Sequence, residues 1–514
     1  MTEKDNPKIV LLDDLVSKIN TLRATGKQIV QSHGIFDLIH PGIINHLEEA
    51  KSQGNILIVT IIRDRDVRKG LGRPIFQEKL RAKNVASMSI VDFVCIVDDL
   101  IPFECVTMIR PDIFAKGKAY KERDGIIHEK VFHEEREFYF EKCRIYETSG
   151  ISFSSSEIIH NLLDLYPKKI KKFIREFRKK YSFQDIVQHI NLLKDAKVLL
   201  IGDGIIDEYC YCETLGKSPK SQLIVNKYIN QEIFAGGVFA IANHIACTCG
   251  NVQMISLLGN VDSREDFILE NLLPNVSTKF FYRNDGPTIV KRRYINSYSN
   301  QKMFEIDYIN DNFVEPILED EIIQYLEKTI PDYDLVLVSD FGHGLVSPRI
   351  QATLEQHSPK LAVNTQTNGA NAGYNLITKY SRTNFICLDA PEARLATQMR
   401  HEDIELVGSE LMRQITTDYL IITLGAAGSI CFTKDGFTIK TPAFATKVID
   451  IIGAGDAFFS YTAPCFVQGM APDFVSFIGN VVGALAVQIV GNKKPVEKHE
   501  LLEFIDALFK IKGQ

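Results

Sequence analysis

Asp450-Ile-Ile-Gly-Ala-Gly-Asp456, running straight into Ala457-Phe-Phe-Ser-Tyr461, decides how the rest of the chain is read. Gly453, Ala454 and Gly455 are small enough for backbone to approach a ligand closely, and the apolar run behind them is long enough to begin a helix. A helix mouth offers unbonded N–H groups and the positive end of aligned peptide dipoles, which together hold a phosphoryl group in transit. Asp456 follows where a carboxylate takes the proton from an attacking hydroxyl. A glycine turn capped by an aspartate is the plainer reading of the same residues. The remainder of the chain separates the two.

Upstream, Lys197-Val-Leu-Leu-Ile-Gly202-Asp203 reads as a strand entering a Gly-Asp turn, with Asp207 close behind. Leu335-Val-Leu-Val-Ser-Asp340 is a buried type of strand that turns at Asp340-Phe-Gly342-His-Gly344. Leu420-Ile-Ile-Thr423-Leu-Gly425-Ala-Ala-Gly428 is a strand followed by a glycine loop. In this order the pieces resemble the ribokinase (PfkB) family of sugar kinases, whose signature is an anion hole of small residues ending in a catalytic aspartate. The resemblance implies that Gly453, Ala454 and Gly455 hold the migrating phosphoryl group and that Asp456 is the base. It implies acceptor binding by Asp203, Asp207, the pair Gly236-Gly237, Asn243, Asp340, and the lid residues Lys291 and Arg293. Thr423, Gly425, Gly428 and Asn480 would contact ATP, and Asp389 and Glu392 would place Mg²⁺. There are departures from the family pattern. Ala240 stands where an asparagine is usual and His343 where a lysine is. Glu305 replaces an arginine expected before Asp307, which weakens the case for an acceptor that carries a phosphate.

Nearer the N-terminus, Gln28-Ile-Val-Gln-Ser-His-Gly34 reads as a strand and Ile56-Leu-Ile-Val-Thr-Ile-Ile62 as a second, with a helix from about Ile43 to Ser52 between them. Such a βαβ unit binds its ligand at the strand's carboxyl end, beside the helix N-terminus. Gly34, Phe36, Asp37, His40 and Gly42 resemble the G-x-F-D-x-x-H-x-G-H pattern of the nucleotidyltransferase superfamily that includes glycerol-phosphate cytidylyltransferases and heptose-phosphate adenylyltransferases. The resemblance implies that His40 contacts a nucleoside triphosphate, ATP or CTP, and that Lys116 and Ser154, Ser155 and Ser156 lie near its phosphates. Ile43 stands in place of the second histidine, and His46 is the nearest substitute along the helix. Ile43 opens a second reading, in which this domain binds a nucleotide or sugar phosphate without turnover. Both activities occur together in bifunctional heptose-phosphate kinase/adenylyltransferases of bacterial cell-surface sugar synthesis, where the kinase half comes first; here the order is reversed.

The expected fold is α/β throughout: a Rossmann-like nucleotidyltransferase domain over residues 1–165, a basic helical linker over 166–194, and a ribokinase-like domain with a small β lid over 195–514. The linker owes its reading to Lys168, Lys169, Lys171, Lys172 and Arg175 interleaved with Ile170, Phe173, Ile174 and Phe177 at helical spacing. With 514 residues, 45% of them hydrophobic and 24% charged, the chain has the composition of soluble globular protein, and a net charge of −6 argues against general nucleic-acid binding. No run of apolar residues is long enough to span a membrane, and the polar start lacks a signal core. Ten scattered cysteines point to reduced thiols and a cytoplasmic protein. Partners are then a sugar or sugar phosphate and nucleotides, with a homodimer left open.

Overall fold

The computed structural model describes residues 6–67, 74–98, 103–117, 143–148, 167–371, 373–445 and 448–511. The chain divides into two units, one of Met1–Phe183 with Leu502–Gln514 and one of Gln184–Leu501.

In the first unit β1 (Ile29–Gly34), β2 (Ile56–Ile62), β3 (Phe93–Val97), β4 (Ile113–Gly117) and β5 (Arg144–Thr148) form a parallel sheet in the order β3-β2-β1-β4-β5. Val30, Leu57, Val59, Ile61 and Val94 are buried because helices cover the sheet, which is why β2 is apolar without alternation. The strand order reverses between β1 and β4, so a crevice opens at their carboxyl ends, beside Gly34 and Gly117. Pro41 occupies the first turn of the helix Pro41–Ser52, where its missing N–H is no loss. The basic segment forms the helix Lys168–Phe177, with Ile170, Ile174 and Phe177 buried and Lys168, Lys169 and Lys172 exposed. Phe177 stands edge-on to Phe509 at 6.3 Å, and Arg178 donates to the Ile511 carbonyl at 3.0 Å. Its apolar stripe is thereby used in packing within this unit, and the seam falls at Phe183.

The second unit is built on β6 (Lys197–Gly202), β7 (Gly204–Lys217), β8 (Ile224–Gly237), β9 (Asn251–Val261), β10 (Val276–Pro287), β11 (Ile289–Asn296), β12 (Lys302–Tyr308), β13 (Leu335–Asp340), β14 (Leu361–Thr365), β15 (Phe385–Asp389), β16 (Tyr419–Thr423), β17 (Ser429–Thr433) and β18 (Thr438–Thr441). Nine of these make one sheet, in the order β10-β9-β6-β13-β14-β15-β16-β17-β18, parallel as far as β16 and antiparallel beyond it. Leu199, Ile201, Val336, Val338 and Val363 bury its centre. Strand order reverses between β6 and β13, which brings Asp203 and Asp340 to the switch point. The lid is a separate four-stranded sheet, β12-β11-β7-β8. No helix among the described residues is long and apolar enough to cross a membrane. All ten cysteines are unbridged.

Candidate active site

Gly453 takes φ +80°, a left-handed conformation, and caps the helix Ala454–Val467. An added Cβ there would overlap Asn492 Oδ1. The Asp450 carboxylate fixes the turn: it accepts from Ile452 N at 3.2 Å, Gly491 N at 3.0 Å, Tyr209 Oη at 3.0 Å and Lys302 Nζ at 2.8 Å. Those bonds hold its pKa below the ordinary carboxylate value despite its burial. The Ala454 N–H reaches back to the Ile451 carbonyl at 3.3 Å, whereas those of Gly453 and Gly455 bond to nothing among the described residues. Asp456 sits in the first turn, 7% exposed, and desolvation pushes its pKa up to about 7. One of its oxygens accepts from Gln366 Nε2 at 2.7 Å. Gln366 is itself held, its N–H bonding the Asp340 carbonyl at 2.9 Å and its carbonyl accepting from Asn371 Nδ2 at 3.0 Å. A poised carboxylate therefore stands beside two open N–H groups.

The lid closes over this place. Asp207 accepts from Arg293, which also pairs with Glu305 at 2.5 Å, and from Asn492 Nδ2 at 3.3 Å. A Cβ on Gly236 would overlap the Asp207 carboxylate, so only glycine leaves that side chain in place. Gly237, at φ +56°, caps the next helix. Lys291 is 6% exposed and lies within electrostatic reach of both Asp456 and His343.

Other acceptor candidates are engaged inside the protein. Asp203 accepts from the backbone N–H groups of Phe341 at 3.0 Å and His343 at 3.2 Å, shaping the turn after β13; burial first, then Asp340, raises its pKa to about 7. Asp340 receives Tyr380 Oη at 2.9 Å, Lys379 Nζ at 2.5 Å and Asn375 Nδ2 at 3.1 Å. Asn243 donates to the Asn271 carbonyl at 2.8 Å and accepts from Leu273 N at 2.9 Å. It also lines a cavity of about 360 Å³ with Phe234, Ala235, Asn492 and Lys493.

Of the residues expected to contact ATP, Gly425 and Gly428 both have positive φ, and a side chain on Gly428 would overlap the Thr441 carbonyl. Thr423 donates to the Leu388 carbonyl at 3.4 Å. Asn480 bonds Ser429 Oγ at 2.7 Å and the Ser476 carbonyl at 2.8 Å, tying a helix to β17. Asp389 and Glu392 form a capping box at the helix Ala390–Thr397, and a Glu392 oxygen also accepts from Thr367 N at 3.0 Å. Burial raises the pKa of both; the Asp389 charge adds to this for Glu392, which reaches about 8. Asp389 is exposed and Glu392 half-buried, and two adjacent carboxylates open to solvent are a donor set that suits a small hard cation completed by phosphate oxygens and water.

In the first unit, Asp37 accepts from Ile75 N at 2.9 Å and Phe76 N at 3.0 Å, bracing the loop after Phe36, which is itself at φ +51°. The buried Arg81 holds the same region through the Phe76, Ile35 and Ile62 carbonyls and Asp64. His40 is the N-cap of the helix Pro41–Ser52, Gly42 lies in its first turn, and burial lowers the histidine's pKa. Ile43 packs against the sheet core. His46 lies between Ser32 Oγ and Thr148 Oγ1, each at 2.8 Å from a ring nitrogen, so neither nitrogen is open to a substituting role. Lys116 is the next-to-last residue of β4 and follows Ala115, which pairs with Ser32 of β1. Ser154, Ser155 and Ser156 lie outside the described residues.

Comparison with known proteins falls on the same two regions. The description "pfkB family carbohydrate kinase" matches residues 195–499, more than half of the chain. The chain belongs to the pfkB family of carbohydrate kinases. Within this family member, residues 32–161 match a cytidylyltransferase-like model, so that region precedes the kinase region. The bifunctional protein HldE of Koribacter versatilis is 25% identical over 319 residues, 61% of this chain and 64% of that protein. The HldE of Campylobacter jejuni subsp. doylei is 26% identical over 300 residues, 58% of this chain and 62% of that protein. These matches span less than two thirds of either relative's length. Arabidopsis thaliana ribokinase complexed with ribose and ATP aligns over 61% of this chain and 99% of its own, at TM-score 0.46 and 16% identity.

Reading the sequence alone passes over Gln366, Asn492, Asp450 and Lys302 as site residues. Asp450 opens the signature stretch, and that was its signal. The other three are isolated polar residues whose meaning comes from what they touch.

Proposed function

We propose that this chain is a sugar kinase with a nucleotidyltransferase-type domain ahead of it, acting in sugar-nucleotide synthesis. The observation that carries the kinase reading is the Asp456 carboxylate beside the open N–H groups of Gly453 and Gly455. In the reaction, a hydroxyl of a sugar or sugar phosphate lies against Asp207 and gives its proton to Asp456 as its oxygen attacks the γ-phosphorus of ATP, whose bond to the bridging oxygen breaks to release ADP. Gly453 and Gly455 donate to the equatorial oxygens of the migrating group, where charge accumulates. Asp389 and Glu392 would hold Mg²⁺, which neutralises phosphate charge. Gln366 keeps Asp456 oriented through one oxygen, which leaves the other to take the proton. Replacing Asp456 with Asn removes the proton acceptor at nearly constant shape. Phosphorylation should then fall by about a hundredfold or more while ATP binding is nearly unchanged. Normal turnover in that variant would refute the assignment.

The reading for the first unit is nucleotidyl transfer from ATP or CTP to a sugar or polyol phosphate, with His40 at the N-cap of the helix after β1 and Lys116 near the carboxyl end of β4 as its candidate phosphate contacts. Ile43 favours a second reading for this unit alone. An aliphatic side chain absorbed into the core offers no donor to a triphosphate, and His46 is engaged elsewhere. On that reading the unit binds a nucleotide or sugar phosphate and regulates. Pyrophosphate release by the full chain, with CTP or ATP and a panel of sugar phosphates, decides between them.

A further inference from the structure

The inner face of the lid carries an arrangement of charge that selects among acceptors. Register places Lys291 of β11 between Asp207 of β7 and Asp307 of β12, and Arg293 beside Glu305. Residues two apart on a strand share a face, so all five side chains lie on one surface. That surface reaches the base, because Asp456 senses both Asp207 and Lys291. Three carboxylates therefore face two cations there, with the Asp456 carboxylate opposite. Arg293 is satisfied by Asp207 and Glu305, which leaves its guanidinium little capacity for a substrate anion.

His343 completes the set. It is 1% exposed, and neither ring nitrogen has a hydrogen-bond partner. Burial and the neighbouring Lys291 push its pKa down to about 3, so it is a neutral imidazole with one donor and one acceptor. Asp307 Oδ1 is likewise shut off from solvent without a partner. A sugar hydroxyl would meet the need of either group, donating to Asp307 or exchanging a bond with the imidazole, and Lys291 neighbours both. The phosphoryl group of an ester, as the dianion, has no proton to give Asp307 and adds negative charge to a surface already rich in it.

We infer that the acceptor of the kinase site is an uncharged sugar or polyol, with Asp307 and His343 reading its hydroxyls, and that Glu305 and His343 exclude phosphate esters. This rests on the kinase reading and narrows it to one of its two substrate classes. The test assays the full-length chain with ATP·Mg²⁺ and paired probes: fructose and fructose 6-phosphate, mannose and mannose 6-phosphate, sedoheptulose and sedoheptulose 7-phosphate. For the best pair, kcat/KM for the free sugar should exceed that for its ester by about tenfold or more. Glu305→Gln, which frees Arg293 at a half-exposed position that folding tolerates, should raise the ester-to-sugar ratio by about tenfold. His343→Lys should move it the same way. Preferential use of an ester by the unmodified chain overturns the inference and leaves the kinase reading intact, as does a ratio that Glu305→Gln does not move. Failure to phosphorylate any probe, in a chain that also fails to bind ATP, overturns both.

Discussion

Gly453→Ala is the substitution that weighs most on the reading of the anion hole. The new methyl meets two obstacles: a φ of +80° that L-residues avoid, and Asn492 Oδ1 already in its place. Left-handed backbone costs an alanine about 1 kcal/mol. Pushing Asn492 away loses its 3.3 Å bond to Asp207, about 1 kcal/mol more. The unit should therefore lose about 2 kcal/mol of stability, a few degrees in melting temperature. Turnover should suffer far more than folding. The same shift displaces the Gly453 N–H and unseats Asp207, and misplacement by about 1 Å can cost about a hundredfold in rate. Gly455→Ala is the control, since its methyl meets nothing within 4 Å and its φ is ordinary. Its melting temperature should stay at or above that of the unmodified chain, and any lost activity then reports crowding of the phosphoryl group. The assay is ADP release at saturating ATP, paired with calorimetric melting. A Gly453→Ala chain with unchanged melting and turnover within about threefold of normal would show that neither this turn nor Asn492 shapes the site.

Because burial holds the Asp456 pKa near 7, kcat/KM for the kinase should fall about tenfold per pH unit below that value. The Gln366 hydrogen bond lowers this pKa, so Gln366→Leu should move the acidic limb to higher pH; a limb that stays put would show that the contact does not tune the base. The sign for stability is opposite. A carboxylate with a raised folded pKa contributes most below its unfolded value and loses that contribution as pH rises toward 7, so Asp456→Asn should flatten any decline in melting temperature between pH 4 and pH 7. Gly236→Ala should raise KM for the acceptor while leaving KM for ATP unchanged, because its methyl displaces the Asp207 carboxylate and crowds the Asn492 amide that bonds it; equal changes in both would place Asp207 outside the acceptor site. Ile43→His should increase pyrophosphate release by about tenfold to a hundredfold if the first unit is a weakened transferase, and should leave release at background if that unit only binds.

Much of this was legible in the chain itself. The two large sheets announce themselves as nearly continuous apolar runs such as Ile56–Ile62 and Leu335–Val338, since a strand covered on both faces has no polar side to show. The turn and helix start at Gly453–Asp456 were legible because glycines, an aspartate and an apolar run are adjacent in sequence, so local chemistry alone specifies them. Ile43 was visible as a missing donor for the same reason. Tertiary structure decided what depends on distance along the chain. Asp203 and Asp340 read like ligands, yet their oxygens meet backbone and side-chain donors within the protein. Gln366 and Asn492 read like nothing, yet they brace Asp456 and Asp207 from 90 and 285 residues away. The pairing of Arg293 with Glu305 turned an expected acceptor-binding cation into half of an internal ion pair. A residue type states what a side chain can bond to; only the fold states whether that bond is already taken.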